Sequence, residues 1–473
     1  MRPQRIVVVG NGMAGARLAD ELLRRDRRLE VTVVGAEDQP AYNRVLLSDV
    51  LAGKRASADI AMPGGSGAVR RLGERVTAVD RTARTVTTSN GTSLPYDALV
   101  LATGSTALVP PVHGIAGPSG VLLPGVFVFR TLADCAAIAA AAGKAERAVV
   151  VGGGLLGLEA ARGLLQHGLA VDVVHGMSHL MDMQLDPVGG AVLRRSVECL
   201  GVGVHLGSFA SSVTGTRSVT GVGLADGRHV AGDLVVLACG VRPETELARS
   251  AGLTVERGVV VDDRLRTDDP DVWAIGECAQ HRGQVYGLVA PAWEQAAVLA
   301  DVLTGGSATY PGSRTVARLK ALDLEVAAMG ETAPELADVG AGLEVLQWAD
   351  PARHVYKKLV VRDGVVTGAV LLGDLATAGA VTQAFDRGTP LPAERLHLLF
   401  AGLSDGARSE VDDEAVVCTC NSVTAGALRR CGARTVTEAA AATRATTGCG
   451  TCASSVAALL PRTEEAVPVR RTA

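Results

Sequence analysis

The chain has 473 residues, 48% of them hydrophobic and 20% charged, with a net charge of −4. That length corresponds to about three domains, and the composition excludes wholesale disorder. The acidic balance argues against nucleic-acid binding, and 9 cysteines are too few for a disulfide scaffold.

Residues 5–35 read strand, turn, helix, strand. The apolar run 6–9 is of buried-strand type, a helix starts near Met13 with Leu18, Leu22 and Leu23 on one face, and 31–34 is the second strand. Arg2 and Arg5 precede the run as in a signal peptide, but Gly10, Gly12 and Gly15 interrupt it. No stretch approaches the ~18 apolar residues of a membrane span, so a cytoplasmic protein without membrane contact is expected. The same pattern recurs as strand 148–151, a helix through Leu165 and strand 170–174, a repeat offset by 142 residues from Gly10 to Gly152. Two related parallel-sheet domains follow. Residues 208–236 read as short alternating strands. From about Tyr310 to Gly402 the pattern is α+β, with a hairpin signal at Asp363-Gly364 between 356–361 and 365–372. Residues 405–414 read as a linker and 463–473 as a frayed tail.

Gly10-Asn11-Gly12-Met13-Ala14-Gly15 is a dinucleotide-binding turn between strand and helix, and Glu37 follows 22 residues past Gly15. The first glycine permits the turn, the second admits the diphosphate to the backbone, and the third lets helix and strand pack. The helix N-terminus then meets the diphosphate, and Glu37 accepts from a ribose hydroxyl. Gly152-Gly153-Gly154-Leu155-Leu156-Gly157 is the second such turn, but His175 stands where an acid is usual. Without that acid the choice between NADH and NADPH stays open.

Five of the cysteines, Cys418, Cys420, Cys431, Cys449 and Cys452, lie in the last 56 residues. Cys418-Thr419-Cys420 and, 29 residues on, Cys449-Gly450-Thr451-Cys452 supply four thiolates, a set that suits a [2Fe–2S] cluster or a structural zinc. Between them 424–430 looks helical, Thr435 and Glu438 form a capping box, and Cys449 and Cys452 open a third helix. Cys431 reads as a small apolar residue, and Cys135, Cys199 and Cys239 as core. Cys278 is a weak redox candidate. His175 and the histidines near Arg282 read as surface or edge residues.

Together these features resemble the two-dinucleotide-binding-domain flavoproteins of the glutathione-reductase-like group. Ala102, Thr103 and Gly104 match the family's strand beneath the FAD. Gly240 falls in the strand closing the nicotinamide domain, and Gly276 and Glu277 match the second FAD fingerprint. The resemblance implies FAD at Gly10, Gly12, Met13, Ala14, Gly15 and Glu37. It implies NAD(P)H at Gly152, Gly154, Leu155, Leu156, Gly157 and His175, with NADH slightly favoured. The implied fold is α/β, with an FAD domain (1–115 and 240–309) and an inserted NAD(P) domain (116–239). An α+β interface domain (310–403), a linker (404–415), a small helical [2Fe–2S] domain (416–460) and a flexible tail (461–473) complete it.

The redox cysteine pair of the disulfide reductases is missing from 42–48. Tyr42-Asn43-Arg44 and residues 288–295, 318–320 and 350–359 are instead similar to the flavoprotein half of NAD(P)H-dependent nitrite reductase large subunits, which brings Asn43 and Arg44 into the cofactor set. The tail resembles the BFD-like [2Fe–2S] domain, with Cys418, Cys420, Cys449 and Cys452 as ligands. By the same resemblance Glu159 orients the nicotinamide, against the alternative of a solvent-facing helix acid. Ser48-Asp49 stands where relatives carry a lysine, and Lys54 is the nearest candidate for that lysine's place. The expected role is NAD(P)H to FAD to [2Fe–2S] electron transfer to a separate molybdenum-containing nitrate reductase subunit, or to a sirohaem nitrite reductase. A ferredoxin- or rubredoxin-type reductase and a zinc-bearing redox sensor are the alternatives.

Overall fold

The computed structural model describes residues 3–62, 67–117, 119–321, 324–340, 342–391, 394–400, 412–418, 421, 423–448, 450 and 452–461. Most of the expected linker, the tail beyond 461, and Cys420 and Cys449 lie outside them.

The run at residues 6–9 forms the centre of a five-stranded parallel sheet, ordered Val272–Ala274, Ala98–Leu101, Arg5–Val9, Glu30–Gly35, Val69–Leu72. Ile6 pairs with Val31 on one side and Ala98 on the other, and Ile6 and Val8 are fully buried. Both faces are covered, which is why the strand reads as continuously apolar rather than alternating. Helix Met13–Arg25 puts Leu18 and Leu22 into this core and packs against helix Val289–Leu303.

The repeat builds a second five-stranded sheet, ordered Gly203–Leu206, Ala170–His175, Arg147–Val151, Leu234–Leu237, Val126–Val128. The alternating segment therefore divides. Ala210–Thr214, Gly221–Leu224 and His229–Ala231 form a separate antiparallel sheet, while Leu234–Leu237 joins the parallel one. The chain crosses between the two units twice. The crossings, Ser105–Ala107 and Val241–Pro243, pair antiparallel. A three-stranded meander, Val76–Asp80, Thr85–Thr88 and Ser93–Pro95, was not legible in the pattern because its strands are only three to five residues long.

The third unit is a five-stranded sheet in the order Val316–Ala321, Leu324–Gly330, Val365–Leu372, Val355–Arg362, Leu343–Asp350, backed by helix Ala378–Arg387. Its hairpin turns at Asp363 (φ 49°) and Gly364 (φ 78°), the left-handed pair that matches strand twist. One face of the sheet shares a core with the second unit, where Tyr356, Val326 and Leu372 meet Leu158, Leu164 and Val197.

The C-terminal unit has helices Ala425–Arg430, Val436–Thr443 and Ala453–Leu459 around a small core of Leu428, Ala439 and Val456. Thr424 caps the first, and the Thr435–Glu438 capping box opens the second. Cys431 packs against that core. Two expectations fail. Cys199 is exposed, because it ends a helix whose buried stripe runs through Gly190, Leu193 and Val197. His281 is buried at 1% exposure, because its ring packs on Tyr310 at 4.9 Å while Nε2 meets Asp263 at 2.8 Å.

Candidate cofactor sites and the chain's family

The two glycine turns have the same construction. A methyl on Gly10 would lie 2.1 Å from the Ala102 carbonyl, and one on Gly15 2.0 Å from the Gly10 carbonyl. At the second turn a methyl on Gly152 would lie 2.2 Å from the Ala238 carbonyl, and one on Gly157 1.9 Å from the Gly152 carbonyl. Packing therefore forces the first and third glycines. The middle ones differ. Gly12 has only the Arg44 Nε at 4.0 Å and Gly154 has nothing within 4 Å. That open space lies at the N-termini of helices Met13–Arg25 and Leu155–Gln166, neither of which has a side-chain cap. Their first N–H groups remain available to an anion. Beside the first turn the Asn11 amide is buried with both polar atoms unpartnered within the described residues. Uncapped helix N–H groups, an unpartnered buried amide and room beside the middle glycine fit a bound dinucleotide.

Around the first turn the sequence-expected residues converge. Ala102 lies under Gly10, the Thr103 hydroxyl donates to the Glu244 carbonyl at 2.7 Å, and Gly104 turns at φ 71°. Gly276 approaches Ala14, and the Trp293 indole donates to the Met13 carbonyl at 3.2 Å. Glu37 accepts from the Tyr42 hydroxyl at 2.6 Å and pairs with Arg44, whose guanidinium lies 4.8 Å over the Tyr42 ring. Glu277 accepts from the Ser105 hydroxyl at 2.5 Å and pairs with Arg130. Sequence reading missed Arg130 and Ser105, since nothing local links either to residue 277. Asn43 turns to the C-terminal unit instead. Its Nδ2 donates to the Thr447 and Gly448 carbonyls.

At the second turn Leu155 and Leu156 open the helix half-buried, and Gly240 (φ 96°) faces open space. His175 is more than an edge residue. Its Nδ1 accepts from the Gly153 N–H at 3.2 Å, so Nε2 carries the proton that faces Asp182 at 3.0 Å. An acid absent at position 175 is thus brought to the turn seven residues later.

Glu159 is half-buried on helix Leu155–Gln166, where it faces helix Leu47–Leu51 of the first unit. Burial pushes its carboxyl up to about 7, with Asp49 adding to the rise and Ser48 and Arg162 opposing it. This is not a solvent-facing helix acid. Cys278 is fully buried, donates to the Ile275 carbonyl at 3.3 Å, and burial pushes its thiol up, which disfavours a reactive thiolate.

In the C-terminal unit Cys418 and Cys452 are buried together. The neighbouring Cys452, with N–H groups of Thr446 and Asn421, holds the Cys418 thiol down to about 6 against the pull of burial. Cys452 at the start of helix Ala453–Leu459, beside a Cys418 sulfur that receives the Thr446 and Asn421 N–H groups, fits a thiolate-held group.

Two nucleotide folds joined by two crossing strands define a two-dinucleotide oxidoreductase. The chain belongs to the pyridine nucleotide-disulphide oxidoreductase family, whose model matches residues 4–296. Residues 316–389 match the rubredoxin NAD+ reductase C-terminal domain and 416–462 the BFD-like [2Fe-2S] binding domain. FAD, NAD(P)H and a [2Fe–2S] cluster are accordingly its cofactors. It is 38% identical to the NAD(P)H nitrite reductase large subunit of Klebsiella oxytoca over 95% of this chain and 48% of that protein. It is 34% identical to the assimilatory nitrate reductase electron transfer subunit of Bacillus subtilis over 97% of this chain and 60% of that one. The chain thus spans about half to three-fifths of these relatives. A ferredoxin reductase structure from Rhodopseudomonas palustris superposes with a TM-score of 0.73 at 26% identity, covering 82% of this chain and 96% of that one.

Proposed function

We propose that the chain carries electrons from NAD(P)H through FAD and the [2Fe–2S] cluster to a separate catalytic subunit of nitrate assimilation. The observation that carries this reading is the pairing of a flavin unit lacking cysteine at 42–48 with a cysteine-bearing unit docked on it. FAD accepts a hydride as two electrons and releases them singly, which a one-electron cluster requires. The chain's own residues position and screen. In this reading Gly12 and Gly154 admit the diphosphates, and Glu37 and Glu277 hold ribose and ribityl hydroxyls. Glu159, its carboxyl pushed up to about 7 by burial, meets the nicotinamide. Met13, Ala14, Arg44, Ala102, Thr103, Gly104 and Gly276 line the flavin side. Cys418, Cys420, Cys449 and Cys452 ligate the cluster.

The electron transfer subunit likeness, covering 97% of this chain, supports a nitrate reductase partner, with a molybdenum centre as the chemistry of that partner. A sirohaem nitrite reductase is the second reading, favoured by the 38% identity to a nitrite reductase subunit. Among the described residues no helix is long and apolar enough to cross a membrane. A cytoplasmic setting is part of the proposal.

Anaerobic titration with NADH and with NADPH tests the route. Flavin bands bleach first, then the broader cluster absorption, and a paramagnetic reduced-cluster signal appears. Spectra that stay oxidised with both nucleotides overturn it.

A further inference from the structure

Asn43 is only 4% exposed, and its amide has partners on both sides. Oδ1 accepts from the Val45 N–H at 3.1 Å, which caps the turn Arg44–Leu46. Nδ2 donates to the carbonyls of Thr447 at 3.0 Å and Gly448 at 2.6 Å. Gly448 immediately precedes Cys449.

Two further contacts reach the same loop, one of them through Asn421. Arg17, on helix Met13–Arg25, donates to the Asn421 Oδ1 at 3.3 Å. Asn421 turns its Nδ2 to the Arg444 carbonyl at 2.7 Å and the Thr447 hydroxyl at 3.2 Å, and lies 3.9 Å from the Cys418 sulfur. Arg444 also reaches Glu21 of that helix at 3.8 Å, and Arg17 holds Glu21 at 3.1 Å. Residues 444–448 and Asn421 are therefore gripped from the turn after the second strand and from the first-motif helix. The neighbours of Asn43, Tyr42 and Arg44, both engage Glu37. One tripeptide touches the FAD acid on one side and the cysteine-bearing loop on the other.

We propose that Asn43, with Arg17 and the Glu21–Arg444 pair, is a docking clamp that fixes the cluster-bearing loop on the flavin unit. Asn43 is then a positioning residue for electron passage rather than a cofactor ligand. The inference rests on the proposed electron route. Each passage moves one electron from reduced flavin to oxidised cluster, with NAD(P)H as reductant and the cluster's acceptor as sink. Buried amide donors aimed at main-chain carbonyls resist a swinging motion, because release would leave them unpaired.

The test uses the full-length loaded protein and the variants N43D, R444E and R444K. Asn43→Asp keeps the cap to Val45 but sets a carboxylate oxygen against two carbonyls. Rapid anaerobic mixing with NADH and, separately, with NADPH follows flavin and cluster bleaching, and hydrogen exchange follows the peptide spanning 444–448. In N43D the cluster phase slows by about tenfold or more relative to the flavin phase, and exchange of the loop rises. R444E moves both readouts in the same direction, and R444K, which keeps the charge, lies closer to wild type. If N43D loses its cofactors, R444E decides alone. A cluster phase within about twofold of wild type, or flavin and cluster phases slowed in parallel, overturns the clamp. If the wild type shows no cluster phase with either nucleotide, the electron route fails instead.

Discussion

The three glycines of the first turn differ by what a single added carbon would meet. Gly15→Ala forces a methyl against the Gly10 carbonyl, so unfolding of the cofactor-free protein should shift down by about 1–3 kcal/mol or more. Gly12→Ala meets nothing closer than Arg44, so stability of the same form should change by less than about 0.5 kcal/mol while FAD retention falls. Equal destabilisation by both would show that the middle glycine is structural. Glu159 gives a pH signature. Its carboxyl rises from 4.5 to about 7, so the folded chain keeps a proton that the unfolded chain releases across that window. Stability contributed by this site therefore falls as pH rises from 4.5 to about 7, and the loss is complete above. Glu159→Gln should flatten that fall and gain about 1–3 kcal/mol at alkaline pH in denaturant titrations. His175 holds Asp182 at 3.0 Å, and a carboxylate beside the bound adenosine ribose would repel a 2′-phosphate. Asp182→Ser should move the kcat/KM ratio towards NADPH by about tenfold, or 1.4 kcal/mol. An unchanged ratio would place specificity elsewhere.

At the scale of elements, helix Pro187–Cys199 and strand Val355–Arg362 are joined by a buried polar knot. Asp186 caps the helix through the Gly189 N–H at 2.8 Å, and Lys358 and the Tyr356 hydroxyl both donate to the same carboxylate. Burial alone would raise the Asp186 carboxyl, but Lys358, Tyr356 and Gly189 outweigh it and hold it below its usual value. Lys358 and Asp186 are 0% and 3% exposed, so removing one partner strands a buried charge. Lys358→Met should cost about 3–5 kcal/mol in urea unfolding, and adding Asp186→Asn should recover much of it. Additive losses would mean the two residues act independently. The pattern of strands and helices was readable here, since the hairpin declared itself at Asp363-Gly364. The knot was not, because position 186 lies 172 residues from Lys358.

At the scale of the molecule, three five-stranded sheets and a helical unit carry two nucleotide turns and a cysteine-bearing loop. Cys418→Ser should leave nucleotide-driven flavin bleaching and dye reduction intact while the paramagnetic cluster signal and transfer to the physiological acceptor disappear. Parallel loss of dye reduction would contradict a linear route. The order of the units was legible because each announces itself locally. Two glycine turns mark strand-to-helix corners, and a capping box marks a helix between the cysteine pairs. What joins the units was not legible.

The sequence by itself determined the two nucleotide folds, the forced glycines and the spacing of the cysteine pairs. Each depends on neighbours within a few residues, where backbone geometry and periodicity act. Only the tertiary structure decided that Arg130 meets Glu277 and that His175 delivers Asp182. It also decided that Asn43 grips a loop 404 residues away and that Glu159 sits half-buried with a shifted proton. Those outcomes are set by burial and by partners brought from distant chain segments, and no local pattern encodes either.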